Sequence, residues 1–264
     1  MMRLFCFCIG VISFMLSSCN NNTTETSTKM PEAESQLKAL ITQYPDSVLL
    51  KENLIQYFRE NGNYGEAIVT TSNALTKDSL NDRLFDIKAT LYFENGDTIN
   101  AINAFEKAVA INPQPEYIIS LGSLYAQTKN PLALALADAL VQTPAANAQK
   151  QALFIKGLYY SYTGDKLKAI QYFDFCLKLD YRDMLAYREK AICLYDLNKY
   201  EEALELLQKA VAVQNTFDEG YYWKGRCYEK LNKTKEAIEN YQMALQIDPN
   251  YIEAKDALAR LGIK

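Results

Sequence analysis

The sequence contains no histidine, so no imidazole is available as a general base, a proton shuttle or a metal ligand. That absence removes the serine- and cysteine-based triads and most zinc-dependent hydrolase sites together. Glycine and proline are scarce, 10 and 7 in 264 residues, and one tryptophan stands against 19 tyrosines, a balance suited to helices joined by short connections. No stretch has the spacing of a phosphate-binding loop, a nucleophile elbow or a dinucleotide fingerprint. There is no run of Lys or Arg, and the formal net charge of −4 has the wrong sign for a nucleic-acid footprint. The expectation is a chain without catalytic residues, metal or cofactor, and with no nucleic-acid partner.

The first 18 residues stand apart. Arg3 precedes an apolar run over residues 4–16 that is too short to span a bilayer comfortably and has the layout of a secretory signal. The run ends in Leu16-Ser17-Ser18-Cys19, which resembles the bacterial lipobox. The resemblance implies cleavage before Cys19 and acylation there, and several acyl chains would hold the protein in a membrane far more firmly than one. An ordinary secretory signal is the alternative reading of the same run. Residues 19–30 are polar, without apolar periodicity, and read as the lipidated cysteine followed by a flexible tether. Cleavage would remove Cys6 and Cys8, leaving Cys176, Cys193 and Cys227 beside the lipidated one, which is no disulfide framework.

The rest of the chain repeats. Gly157, Ala191 and Gly225 are 34 residues apart, and so are Ala169, Ala203 and Ala237. The same register divides residues 48–251 into six units, 48–81, 82–115, 116–149, 150–183, 184–217 and 218–251, without insertion or deletion. Position 20 of every unit is Ala, namely Ala67, Ala101, Ala135, Ala169, Ala203 and Ala237. Position 15 is Gly62, Gly96, Asn130, Gly164, Asn198 and Asn232, the two residue types that best tolerate the left-handed end of a helix. Position 27 is small in five units, and aromatics recur at positions 11 and 24.

A 34-residue period with these occupants resembles the tetratricopeptide repeat. The resemblance implies an all-α fold, a right-handed superhelix (α-solenoid) of antiparallel helix pairs. Small residues at positions 8, 20 and 27 let the two helices of a pair approach, and neighbouring pairs bury each other's apolar faces. Residues 31–47 fall in register as an N-terminal half repeat, with Leu37 and Leu40 at positions 24 and 27; residues 252–264 read as a C-terminal capping helix. The unit 116–149 fits poorly: Gly122 sits one place early, Pro131 follows Asn130, and Gln142 takes the small position, so a shifted register or kink is expected. Lys88, Lys156, Lys190 and Lys224 occupy position 7, and their stems are expected to lie along apolar neighbours while the ammonium reaches water.

In this family the first helix of each unit lines a concave groove, with positions 2, 5, 9, 12 and 13 facing it. Carried over residue by residue, the first two units present Glu52, Gln56, Arg59, Glu60, Arg83, Asp86 and Glu94, a polar half of mixed sign. The later units present Phe154, Leu158, Tyr162, Leu185, Arg188, Ile192, Tyr195, Tyr222 and Arg226, with Trp223 beside them. Aromatic and Arg side chains are the usual anchors of interfaces, so this half is the candidate binding groove, with Arg188 and Arg226 positioned to pair carboxylates. The competing reading is that these aromatics pack between adjacent first helices. The Lys/Asn clamp by which some relatives grip a chain terminus is not met, since Glu52, Gln56 and Asp86 hold its positions. Cys193 and Cys227 share position 10, roughly one helix spacing of about 8–10 Å apart, and read as buried small hydrophobes.

These readings predict a lipid-anchored scaffold of a bacterial cell envelope that binds a peptide or partner helix, of the class that serves as assembly accessories of outer-membrane complexes. Asn20 after the modified cysteine is not the Asp that resembles an inner-membrane retention signal, so the outer membrane, facing the periplasm, is the expected site. The alternative is a glycan-binding or carbohydrate-active envelope protein using the aromatic half of the groove.

Overall fold

The computed structural model describes residues 29–143 and 147–263; the signal run, Cys19 and most of the tether lie outside the described residues. Among the described residues there are fourteen helices and no strand. Helix α1 (Lys29–Gln43) is followed by the pairs α2 (Val48–Glu60) and α3 (Tyr64–Lys77), and α4 (Asp82–Glu94) and α5 (Thr98–Ile111). Then come α6 (Pro115–Gln127) and α7 (Leu132–Val141), α8 (Ala148–Thr163) and α9 (Lys166–Leu179), and α10 (Met184–Asp196) and α11 (Tyr200–Val213). The last pair, α12 (Asp218–Lys230) and α13 (Thr234–Ile247), carries α14 (Ile252–Arg260) after it. The fold is an α-solenoid of helix pairs. It forms two compact bodies that divide between Pro113 and Gln114.

Each pair turns on one left-handed residue. Gly62, Gly96, Gly164, Asn198 and Asn232 have φ of 71°, 81°, 99°, 60° and 58°, as position 15 requires. Helix starts are satisfied locally: the N–H groups of Leu50, Leu84, Asn100, Lys168 and Ala186 donate to the side chains of Ser47, Asn81, Asp97, Asp165 and Asp183. Helices α11 and α13 lack such a cap and instead carry Glu201, Glu202 and Glu236 in their first turns, against the positive end of the helix dipole.

The helices of a pair meet where position 8 faces position 24. A Cβ added at Gly157 would stand 2.6 Å from the Phe173 ring, and one at Gly225 2.6 Å from the Tyr241 ring. Both rings are fully buried, so each contributes about 1.5–3 kcal/mol only while position 8 stays bare. The first unit exchanges the two sizes: Ile55 at position 8 and Thr71 at position 24 are both buried, and the Thr71 hydroxyl donates to the Ala67 carbonyl at 2.8 Å. The three cysteines are buried as expected, and burial pushes their thiols up to about 12 for Cys176 and Cys227 and about 11 for Cys193.

The third unit corrects the contiguous register. Helix α6 starts at Pro115, and Lys129, not Asn130, takes the left-handed turn with φ of 59°. Pro131 disfavours a helical conformation at the residue before it, so the turn moves back by one place. Gly122 thereby falls into the small position, with Ile155 Cδ1 at 2.9 Å from where its Cβ would be. In α7 the slip grows to two: Ala133, Ala137 and Leu140 are buried with the spacing of Ala169, Phe173 and Cys176, while Ala135 is exposed. The register is restored within α8, by Gly157.

The position-7 lysines record the same slip. Lys190 Nζ donates to Asp174 at 2.6 Å and Lys224 Nζ to Gln208 at 2.9 Å, each 16 residues back. Lys156 reaches Asp138 at 2.6 Å, 18 residues back, two more because α7 is displaced by two. These ammoniums therefore bridge to the preceding second helix instead of simply entering water, and Lys224 is buried. At the N-terminus, Leu37 and Ile41 pack on the first core while Leu40 is exposed, so Leu40 does not fill position 27. At the other end Ala254, Ala257 and Leu258 are buried, and α14 turns Lys255, Asp256 and Arg260 outward, as a cap should.

The Gly225→Ala variant is expected to lose about 1–3 kcal/mol, since its Cβ must displace the buried Tyr241 ring. Gly65→Ala, at a helical site with nothing within 4 Å, should be neutral or stabilising by up to about 1 kcal/mol. Urea melts of the two variants beside the parent chain measure the difference.

Candidate binding face of the first helices

The first helices α8, α10 and α12 lie in sequence within the second body, with α14 following. Their contacts bring most of the expected groove residues together, but not all on a free surface. Leu158 and Tyr222 are buried at 5% and 9% exposure, and Phe154 is half-buried with its ring 5.6 Å from Phe173. Tyr222 packs with tilted rings at 5.7 Å against Tyr241 and 5.1 Å against Tyr251 and belongs to the core of the last pair. For these three, packing between helices is the better description. Tyr162, Arg188, Ile192, Tyr195, Trp223 and Arg226 remain half-buried. Burial, with Glu189 adding to it, pushes Tyr162 up to about 12, against an opposing influence from Arg188.

Three ion pairs between neighbouring first-helix positions recur at one separation. Arg188 Nη1 donates to both oxygens of Glu219 at 2.8 and 3.0 Å, and Arg260 Nη2 to Glu229 Oε2 at 2.8 Å. Arg83 in the first body donates to Glu52 at 3.0 Å. Each pair is 31 residues apart, three short of the repeat, because an early position of one first helix lies beside a later position of its neighbour. Arg59 holds Glu94 by a second kind of rung, 35 residues on, its Nε 2.7 Å from Oε2. The polar half expected of the first two units is thus largely spent on its own rungs.

Arg188 is doubly held, since its Nε and Nη2 also donate to Glu189 Oε1 at 2.9 and 2.8 Å. Arg and both carboxylates are mostly shielded, with side chains 15%, 11% and 22% exposed. Burial works against the Arg188 charge, but the two glutamates outweigh it and raise its pKa. For Glu219 burial wins over Arg188, and its carboxyl lies above the usual range. The sequence makes Arg188 a candidate for gripping a partner's carboxylate; the structure assigns it to two carboxylates of its own.

Arg226 has a different setting. Its guanidinium carbon lies 5.0 Å from the Tyr195 ring centroid, 5.1 Å from Trp223 and 5.9 Å from Tyr222. Nη2 donates to the Tyr195 hydroxyl at 3.1 Å and Nη1 to that of Tyr222 at 3.2 Å. Trp223 meets Tyr195 and Tyr222 edge-on at 5.5 and 5.7 Å, completing a three-sided aromatic cage. Burial disfavours the charge there, yet the two hydroxyls reverse the balance and hold the guanidinium above its ordinary pKa. Among the described residues no group of His, Cys, Asp and Glu is placed to hold a metal ion.

Comparison with known proteins agrees with this architecture. Profiles described as tetratricopeptide repeat match residues 83–115, 150–183 and 219–251, and one described as TPR repeat matches 193–232. No curated protein sequence matches the chain. A solved tetratricopeptide repeat protein from Parabacteroides merdae superposes with a TM-score of 0.73 at 22% identity, covering 87% of this chain and 91% of that one. PilW, a widely conserved type IV pilus biogenesis factor, superposes at 0.61 with 18% identity, covering 79% and 97%. A thermophilic TPR protein of Thermus thermophilus does so at 0.58 with 20% identity, covering 68% and 97%.

Replacing Arg188 by Met strands two shielded carboxylates and should cost about 3 kcal/mol at neutral pH. A carboxyl whose folded pKa is raised contributes stability that is complete below its unfolded value and lost as pH rises through the folded one. The variant should therefore regain stability as the pH falls toward the ordinary carboxylate range, which thermal melts across a pH series would read.

Proposed function

We propose that this chain, a stack of tetratricopeptide repeats, is a lipid-anchored protein-interaction scaffold of a bacterial cell envelope. Repeats of this kind suggest a scaffold for protein–protein contacts, and the same fold serves many partners, so the partner must be argued from the surface. One observation carries the reading. Three consecutive first helices offer Tyr162, Ile192, Tyr195, Trp223 and Arg226 half-exposed on one face, the mixture of aromatic, aliphatic and Arg side chains that anchors interfaces. An extended peptide or a partner helix lying across α8, α10 and α12 would cover it.

The anchor rests on the sequence. The apolar run before Cys19 and the Ser17-Ser18 pair support acylation there, and Asn20 supports the outer membrane, with the repeats in the periplasm. No helix of the described residues is long and apolar enough to cross a membrane. The likeness to a type IV pilus biogenesis factor agrees with a part in assembling an outer-membrane machine, as an analogy of fold. The glycan alternative is weakened by the cage itself: Arg226 lies over the rings of Tyr195, Tyr222 and Trp223 on which a sugar would stack.

Two measurements test this reading. The parent chain should sediment with membranes and Cys19→Ser should be released; equal retention of both would remove the lipid anchor. A crosslinked pull-down should then compare the parent with Ile192→Glu and Trp223→Ala, which alter the half-exposed face and spare the buried Tyr222. Capture of one protein by the parent, reduced at least tenfold in the variants, is expected. Undiminished capture by both variants would move the interface elsewhere, and displacement of the partner by envelope glycans would favour the sugar reading.

A further inference from the structure

We propose that Arg226 and Lys230 are the anchor for an acidic stretch of the bound partner, one Asp or Glu side chain of a polypeptide running along α10 and α12. The inference rests on the groove reading above and adds the chemistry of what the groove holds.

The rungs supply the argument. Of the four first-helix contacts described above that are 31 residues apart, three join an Arg to a Glu: Arg83 to Glu52, Arg188 to Glu219 and Arg260 to Glu229. The fourth joins Arg226 to Tyr195, which occupies position 12, where Glu229 stands one unit later. A tyrosine hydroxyl accepts a hydrogen bond without neutralising a charge. Arg226 is therefore held by two neutral acceptors, and among the described residues it forms no ion pair. A guanidinium has five N–H donors, and the two spent on hydroxyls leave others to meet a carboxylate.

A second cation stands on the same ring. Lys230, one turn beyond Arg226 on α12, has its ammonium 6.0 Å from the Tyr195 centroid and is exposed. Like charges at this helical spacing repel by about 0.2–0.5 kcal/mol, and no carboxylate of the described residues is paired with either to offset it. Three acids of α10 and α12 are already occupied: Glu189 and Glu219 by Arg188, and Glu229 by Arg260 and the Tyr241 hydroxyl. The cage also fixes the plane of the guanidinium and shields it, conditions under which a charge-assisted pair with a carboxylate is strong and selective. Helices α8 and α14 continue the row on either side, so a chain crossing Tyr195 has surface to follow in both directions. That favours a side-chain carboxylate within a stretch over a chain terminus.

The test uses the full chain in detergent and three fluorescent peptides of Ala and Leu interspersed with an acid or its amide. One carries Glu and is acetylated and amidated, one replaces every Glu by Gln, and one is the Gln peptide with a free C-terminal carboxylate. The Glu peptide should bind at least tenfold more tightly than the capped Gln peptide, and the margin should shrink with added salt. Arg226→Gln should abolish the preference and Lys230→Gln reduce it, while Arg260→Gln, a cation already paired, should leave it intact. Should Arg226→Gln fail to fold, Arg226→Lys, which keeps the charge and loses the fork, should retain part of the preference. Equal binding of Glu and Gln peptides, both weakened by Trp223→Ala, would overturn this inference and leave the groove standing. Tightest binding of the free-carboxylate peptide would overturn it in favour of a terminus clamp. Binding of none would overturn it, and the pull-down above would show whether the groove falls with it.

Discussion

Two helices can lie close along their length only where one gives up its side chain to the other, and every pair in this protein is built around such a place. Position 8 of the first helix and position 24 of the second share a fixed volume. Gly157 yields to Phe173, Gly225 yields to Tyr241, and the first unit reverses the sizes with Ile55 and Thr71. Where both residues are small, at Gly122 and Ala137, Ile155 of the next first helix comes in against Gly122. The close approach sets the pair, and the pair sets the face it can offer to its neighbour. Since no pair buries its own apolar surface, the stacking follows from the same contact.

Stacking then decides what the charged residues can do. Adjacent first helices bring residues 31 apart into contact, and Arg and Glu at that separation bind each other. Second helices receive the ammoniums of Lys156, Lys190 and Lys224 from the following unit, the first two on Asp138 and Asp174 and the third on the neutral Gln208. These contacts tie neighbouring repeats together, and the ion pairs among them use up charge that would otherwise be free for a partner. What is left on the first-helix face of the second body is narrower than a list of inward positions suggests: Tyr162, Ile192, Tyr195 and Trp223, the Lys230 ammonium, and a guanidinium held by rings and hydroxyls.

Period and composition were enough to read the helix pairs, the left-handed residues of five units and the terminal cap, because a 34-residue repeat applies the same steric demands again and again. In the third unit Gly122, Pro131 and Gln142 pointed to a shifted register, but a position count cannot foresee that α7 slips by two while α6 slips by one. The difference between a lining residue and a packing residue was equally hidden. Leu158 and Tyr222 occupy inward positions, yet Tyr222 packs against Tyr241 of its own pair and Tyr251, the residue before the cap. The internal partners of Arg188 and Arg260 could have been found, since an Arg and a Glu 31 residues apart recur across the sequence. Tyr195 in place of that Glu is the departure that singles out Arg226.

A partner lying across α8, α10 and α12 would touch the first helices and leave the second untouched. A photo-crosslinking residue placed in living cells at Ile192, on the first-helix face, and separately at the exposed Phe175 on α9, distinguishes the two faces. One discrete crosslinked protein is expected from the Ile192 position and none from Phe175. A crosslink from Phe175 alone would contradict that expectation and place the interface on the second helices.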